Sequence, residues 1–275
     1  MNDKSFSIAM SVYQKDNAAF FDRALQSITE EQTVKPTEIV LVCDGPLNDK
    51  LNDIIEKHQR KYPVFKLIRL PVNKGLGNAL KLAVENASHE LIARMDSDDV
   101  SVADRFEQQL SFFNNHPEVD IVGGDITEFI GKEDNIIGRR PVPTDDVAIK
   151  EYMKKRCAMN HVSVMFKKQS VQAAGGYLDW FWNEDYYLWI RMLLNGAVFA
   201  NTGTVLVNAR AGDDMYARRG GDKYYKSEIA LQKLMYNNKI ISCPTYFSNC
   251  VKRFAVQKLL SNRARAWVYK TFARN

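Results

Sequence analysis

The chain has 275 residues, of which 45% are hydrophobic, 26% charged and 11% aromatic. This suits one large self-supporting domain with a small appendage and excludes a disordered composition. The net charge of +5 is uneven: residues 251–275 hold Lys252, Arg253, Lys258, Arg263, Arg265, Lys270 and Arg274 with no acid, so the first 250 residues carry −2, which argues against a nucleic-acid-binding body.

The first half alternates strand and helix signals. "FSIAMSV" (6–12), "EIVLVC" (38–43), "FKLIRL" (65–70) and "ELIARM" (90–95) read as buried strands. Helical patterns at 17–28, 47–61, 75–87 and 102–116 follow them in turn. Short strands joined by helices predict a parallel sheet with helices on both faces. After residue 116, "VDIVGGDITEFI" and "IIGRRPV" look like strands with no helix between them. Helix signals follow at about 144–155, 168–174, 184–195 and 223–238, with strand-like "VSVMF" (162–166) and "AVFANTGTVLVNA" (197–209). A mixed sheet is expected there, and no domain boundary before about residue 240.

The four cysteines, Cys43, Cys157, Cys243 and Cys250, form no C-x-x-C pair and lie near no histidine pair at zinc spacing. Reduced thiols in a cytoplasmic protein are expected. The N-terminal "MNDKSFSIAMSVYQKD" does not read as a signal peptide, and no stretch approaches the ~18 apolar residues of a membrane span. Any membrane contact is therefore expected to be peripheral.

In an open α/β sheet the ligand lies beyond the carboxyl ends of the strands. The segments there are "SVYQKD" (11–16), "CDGP" (43–46), "PVNKGLGN" (71–78) and "DSDD" (96–99). Asp96, Asp98 and Asp99 crowd a strand end, which suggests a divalent cation completed by phosphate oxygens and water; the competing role is capping of a helix starting near 102. The run lacks the sixth-position glycine of an EF-hand loop. It satisfies the D-x-D-x-V of a metal-dependent phosphatase, but after the fourth strand rather than the first. "NKGLGNAL" (73–80) fails the dinucleotide fingerprint at Leu80, and its amides with Lys74 remain a candidate phosphate or sugar contact. In "WFWNEDYYLWIRMLL" (180–194), Asn183 is a candidate N-cap, with Glu184 and Asp185 in the first helical turn. Trp180 and Trp182 precede them as candidate sugar-stacking rings, and a carboxylate at this helix mouth can act as a general base. The loop 209–223, with Arg210, Arg218 and Arg219, could close over a pyrophosphate.

Together these segments resemble the family 2 glycosyltransferases, in the branch that builds bacterial O-antigens and exopolysaccharides. The resemblance rests on "SVY" (11–13), "EIVLVCDGP" (38–46), "NKGLGNAL" (73–80), "ARMDSDDVSVADRFEQQ" (93–109), "VGG" (122–124), "NHVSVMFKK" (160–168), "AGGY" (174–177), "EDYYLWIRMLLNGA" (184–197) and "MYARRGG" (215–221). It implies an α/β GT-A fold over 1–240, with a nucleotide half to about 116 and an acceptor half from 117; separately, residues 241–275 are expected to form a basic helical extension. It implies that Ser11, Val12, Tyr13 and Asp44 contact uracil and ribose, and that Lys74, Asn78 and Arg94 lie along the donor. Asp96 with Ser97 would face the nucleotide, Asp98 with Asp96 would hold Mn²⁺ or Mg²⁺, and Asp99 would belong to the turn or cap. Asp185 would be the catalytic base, Glu184, His161 and Trp182 would meet the acceptor, and Arg218 and Arg219 would assist the leaving diphosphate. The implied reaction is single-addition, inverting transfer of one hexose from a UDP-sugar to a glycan on an undecaprenyl-diphosphate lipid, since the Q-x-x-R-W motif of processive synthases is absent. A non-catalytic sugar-nucleotide module and a phosphatase are the alternatives. In the tail, Ala264, Trp267, Val268 and Phe272 share one helical face among basic residues. That pattern suits peripheral contact with anionic lipid on the cytoplasmic face of the inner membrane, or packing on the body.

Overall fold

A central mixed sheet organises the chain, whose computed structural model describes residues 5–212, 220–261 and 264–265. Strands β1 (Ser7–Val12), β2 (Glu38–Cys43), β3 (Phe65–Arg69) and β4 (Leu91–Met95) alternate with helices α1 (Ala18–Ile28), α2 (Asp49–Lys61) and α3 (Leu76–Asn86). These four strands are parallel, in the order β3-β2-β1-β4. Val12 pairs with Cys43 and Met10 with Met95, so β1, β2 and β4 end on one rim. The helices start where short polar side chains precede them: Asn17 accepts from the amides of Ala19 and Phe20 at α1, and Asn48 from that of Leu51 at α2.

The sheet continues through β5 (Val100–Ser101), β6 (Ile121–Phe129), β7 (Ile136–Arg140), β8 (Met165–Lys167) and β9 (Phe199–Arg210). Beyond β4 the order is β8-β6-β9-β5, with β7 beside β6. β8 runs antiparallel to β4 and β6, whereas β6 and β9 are parallel. Helices α4 (Arg105–Asn115), α5 (Asp146–Met153), α6 (Lys168–Ala173) and α7 (Glu184–Leu194) complete the body, and α8 (Asp222–Asn237) and α9 (Cys243–Phe254) follow β9.

Strand alternation feeds two cores. Ile8, Met10, Ile39 and Leu41 pack with Phe21 and Leu25 of α1, Leu51 of α2 and Phe106 of α4. Ala9, Val40 and Val42 face α3 and, across the same layer, Leu188, Trp189 and Met192 of α7. Each fully buried large apolar side chain contributes about 1.5–3 kcal/mol.

Two local expectations change. The helix expected from 102 starts at Arg105, because Val100–Ser101 pair with β9, the Val102 amide donates to Leu206 O, and the Ala103 carbonyl accepts from the Thr33 amide. Neither Asp98 nor Asp99 caps it; Asp104 holds that position. The strand expected at 162–166 is a 3-10 turn, His161–Ser163, followed by β8, because the Ser163 hydroxyl bonds the Asn160 and Gly124 carbonyls. Arg218, Arg219, Trp267, Val268 and Phe272 lie outside the described residues.

Candidate active site

Every rim segment is tied to a neighbour. After β2, Asp44 is buried, and its carboxylate accepts from the backbone amides of Lys74 (2.7 Å) and Gly75 (3.0 Å). This clamps the turn before α3 against β2. Gly45 sits at φ +91°, and a Cβ there would stand 2.8 Å from the Asn73 amide nitrogen, so the close approach requires glycine. Lys74 is left exposed beside the clamp, and Asn78 donates to the Lys74 carbonyl at 2.7 Å. Val12 is a core residue whose carbonyl accepts from the Asp44 amide, so it shapes the rim without offering a free group. Ser11 precedes it on β1, and Tyr13 is exposed.

The turn after β4 divides its acids. Arg94 is buried and grips both carboxylate oxygens of Asp96. Burial disfavours its charge, but Asp96, with Tyr177 and Asp99, outweighs burial and holds the guanidinium above its ordinary pKa. Ser97 donates to Asp16 at 2.8 Å, and the same Asp16 oxygen accepts from the Tyr13 amide at 3.1 Å, joining the β1 and β4 turns. Asp98 reaches solvent but is crowded by protein; that desolvation, then the charges of Asp96 and Asp16, lift its carboxyl to about 6. Asp99 is buried and accepts from the Arg210 amide at 2.7 Å. Arg210 is fixed rather than mobile. It ends β9 with its guanidinium 3.7 Å from the Phe20 ring centre and 4.5 Å from that of Phe129, and it donates to the Asp98 carbonyl at 3.1 Å. Beneath the turn, fully buried Arg105 donates to the Arg94 carbonyl at 2.7 Å. Desolvation and the charge of Arg94 lower its pKa to about 9.

The opposite wall opens α7. Tyr177 is buried and its hydroxyl meets His161 Nε2 at 2.8 Å. Burial, then the charge of Arg94, push His161 well below the usual range, so the ring is neutral. The Tyr177 phenol is raised chiefly by burial, and it also feels Arg94, Asp185, Glu184 and Asp96. Burial and the charge of Asp185 lift Glu184 to about 7, while Arg94 at the end of β4 and Asp96 in the turn after it also act on it. Asp185 accepts from the Tyr186 amide at 2.7 Å, and the Cys157 sulfur lies 3.9 Å from its other oxygen. Asn183 occupies the cap position, but its amide donates to the Ser227 hydroxyl at 3.0 Å instead of capping. Trp182 is exposed, stacks on Phe181 at 4.8 Å and has φ +55°, unusual for a bulky residue. Trp180 instead packs on Tyr187 at 4.0 Å.

The two walls converge. Arg94 of β4 and Asp96 in the turn after it act electrostatically on Glu184 and Tyr177, and the first turn of α3 packs on the loop before α7, where a Cβ on Gly77 would lie 3.0 Å from the Leu178 carbonyl oxygen. Asp16, Arg105, Tyr177 and Cys157 were not singled out as site residues from sequence. Asp16 did lie in the rim segment 11–16, whereas the roles of the others arise only from long-range packing. Among the described residues no three His, Cys, Asp or Glu side chains form a metal cage. A hard divalent cation bound with a diphosphate needs only one or two carboxylates. Asp98 fits that need, because it reaches solvent at the rim beside the acids Asp96 and Asp16, whose charge a cation would offset. Both Asp96 oxygens are already engaged by Arg94.

A Rossmann-like sheet with an acidic turn after β4, faced by acids opening a helix of the second half, defines a GT-A glycosyltransferase. The chain belongs to glycosyl transferase family 2, whose family model matches residues 7–171. It is 39% identical over 269 residues to a glycosyltransferase of Haemophilus influenzae, covering 98% of this chain and 99% of that one. It is 36% identical over 269 residues to the Escherichia coli UDP-Gal:alpha-D-GlcNAc-diphosphoundecaprenol beta-1,3-galactosyltransferase, covering 98% and 96%. The structure of S. aureus TarS 1–349 with UDP-GlcNAc matches with a TM-score of 0.65 at 15% identity, covering 97% of this chain and 79% of that one, a likeness of fold. Family membership decides for a glycosyltransferase over the phosphatase and the non-catalytic module.

Proposed function

We propose that the enzyme transfers one hexose, galactose, glucose or an N-acetyl form, from a UDP-sugar to a hydroxyl of a lipid-linked saccharide, with inversion, at the cytoplasmic face of the membrane. The observation that carries this is the convergence of the Asp96–Asp98 turn with the Glu184–Asp185 pair around Arg94 and Tyr177. The E. coli relative's name supports both the UDP donor and the diphosphoundecaprenol acceptor. Among the described residues no helix is long and apolar enough to cross a membrane.

In this reading Ser11, Tyr13 and Asp44 frame the uracil and ribose, and Lys74, Asn78 and Arg94 line the diphosphate and sugar. Asp98 would hold Mn²⁺ or Mg²⁺, with Asp96 and Ser97 shaping the turn; when bound, the cation supplies charge stabilisation to the departing diphosphate. Arg218 and Arg219, outside the described residues, are proposed on sequence alone to assist the departing diphosphate. Asp185 takes the proton of the acceptor hydroxyl as that oxygen attacks C1. The new C1–O bond forms as the C1–diphosphate bond breaks, and the bonding pair leaves with UDP. Trp182 stacks on the acceptor sugar, while His161, held neutral, and Glu184 border the same space. Assay of several UDP-sugars with Mn²⁺ against a lipid-diphosphate monosaccharide, with product linkage read by NMR, tests the proposal. Transfer from one UDP-sugar supports it; turnover only with GDP-sugars, or only without a diphosphate-linked acceptor, would overturn it.

A further inference from the structure

Helix α9 is built inside out. Apart from Tyr246, which packs against the core, its inward side is polar: Asn249 donates to Gln232 Oε1 (2.8 Å) and to the Lys154 carbonyl (2.9 Å), and Arg253 pairs with Glu228 (2.5 Å) and donates to the Lys155 carbonyl (3.0 Å). Its outer side is apolar. Phe247, Val251 and Phe254 recur at i, i+4 and i+7 and are 69%, 52% and 44% exposed, and Leu259 in the following π-helical turn is 68% exposed. A helix of a soluble body shows the reverse pattern. A contiguous exposed apolar face marks a surface that something else covers.

Charge selects the covering surface. Residues 229–275 contain nine lysines and arginines and no acid. Lys252 stands exposed beside Val251, and Lys258 beside Leu259, where it pairs with Asp222. An apolar stripe flanked by bases in an acid-free segment is the signature of a helix lying in an anionic lipid interface. The position suits the reaction as well. Ser227 of α8 accepts from Asn183 and donates to the Phe181 carbonyl (2.8 Å), while the next residue, Glu228, holds Arg253 of α9. The acceptor-side aromatic loop and the apolar helix are thus fastened to consecutive residues of one helix.

We infer that the outer face of α9, formed by Phe247, Val251 and Phe254 with Leu259 beyond it, docks the enzyme on an anionic membrane surface. The inference builds on the lipid-linked acceptor proposed above, but its test reads lipid binding alone. The full chain is sedimented with vesicles of phosphatidylcholine, with or without phosphatidylglycerol. It is expected to pellet with the anionic vesicles and to be released by salt. The double variant Phe247→Ser/Val251→Ser should lose at least about tenfold in partitioning, and Lys252→Glu should weaken binding less. Both should keep the wild-type thermal unfolding curve and wild-type transfer to a water-soluble acceptor glycoside. Equal pelleting of the double variant and the wild type would overturn the inference. So would a wild-type dimer, seen by light scattering, that the double variant dissolves while neither protein binds vesicles. Failure of transfer with intact vesicle binding would count against the proposed reaction and leave the docking surface standing.

Discussion

Arg94 grips both carboxylate oxygens of Asp96 from within the sheet, and that pairing separates Asp96 from Asp98 two residues on. One acid is bound to the protein, and the other remains open with its carboxyl lifted to about 6 by desolvation and its acidic neighbours. Arg94→Lys replaces a two-point fork with a point charge. It is expected to lower stability by about 1.5–3 kcal/mol, the worth of one charge-assisted hydrogen bond, measured by chemical denaturation. An unchanged denaturation midpoint would show that the fork does not hold the turn.

Asp98→Ala removes the carboxylate assigned to the cation. UDP binding, titrated calorimetrically with and without Mn²⁺, should lose its metal-dependent part while the fold remains intact, since Asp98 reaches solvent. Mn²⁺-enhanced binding in the variant would move the cation elsewhere.

Glu184 gives a pH signature. Its folded-state carboxyl rises from 4.5 to about 7, through burial first and the charge of Asp185 second. The folded state therefore holds its proton more tightly than the unfolded chain, and this group subtracts stability as pH rises from 4.5 toward about 7, with no further change above. Glu184→Gln removes that loss. The variant should gain stability relative to wild type between about pH 5 and about pH 8, with both measured by urea unfolding. A difference that is constant with pH would contradict the raised carboxyl.

Cys157 lies against Asp185, and desolvation, with that charge, pushes its thiol up to about 12. The thiolate is the reactive form. In the native enzyme iodoacetamide should label exposed Cys243 and leave Cys157 unmodified until denaturant is added, as read by peptide mass spectrometry. Rapid native labelling of Cys157 would show that this side of Asp185 is open.

Much of the architecture was legible in the sequence because local signals agreed with it. The four early strands and their helices fall within a few residues of their expected bounds, since alternating apolar runs and the asparagines before α1 and α2 act over short range. The rim acids were visible as a crowded run. Their division of labour was not, because it depends on Arg94 and Arg105 beneath the turn and on Arg210 arriving from β9 more than a hundred residues later. Likewise Asn183 looked like a simple cap, but its amide is drawn off by Ser227 on α8. The polar inner face of α9 was hidden for the same reason: its partners Glu228, Gln232 and Lys154 lie on other elements.

The measurement that bears most directly on the account is a paired assay of Asp185→Asn, which keeps the shape of the side chain and removes its basicity. UDP-sugar binding in the presence of Mn²⁺ should stay within about twofold of wild type, while transfer to the lipid-diphosphate acceptor falls at least about a hundredfold. Transfer at the wild-type rate would remove Asp185 from the chemistry, and with it the proposal that the opening turn of α7 supplies the base.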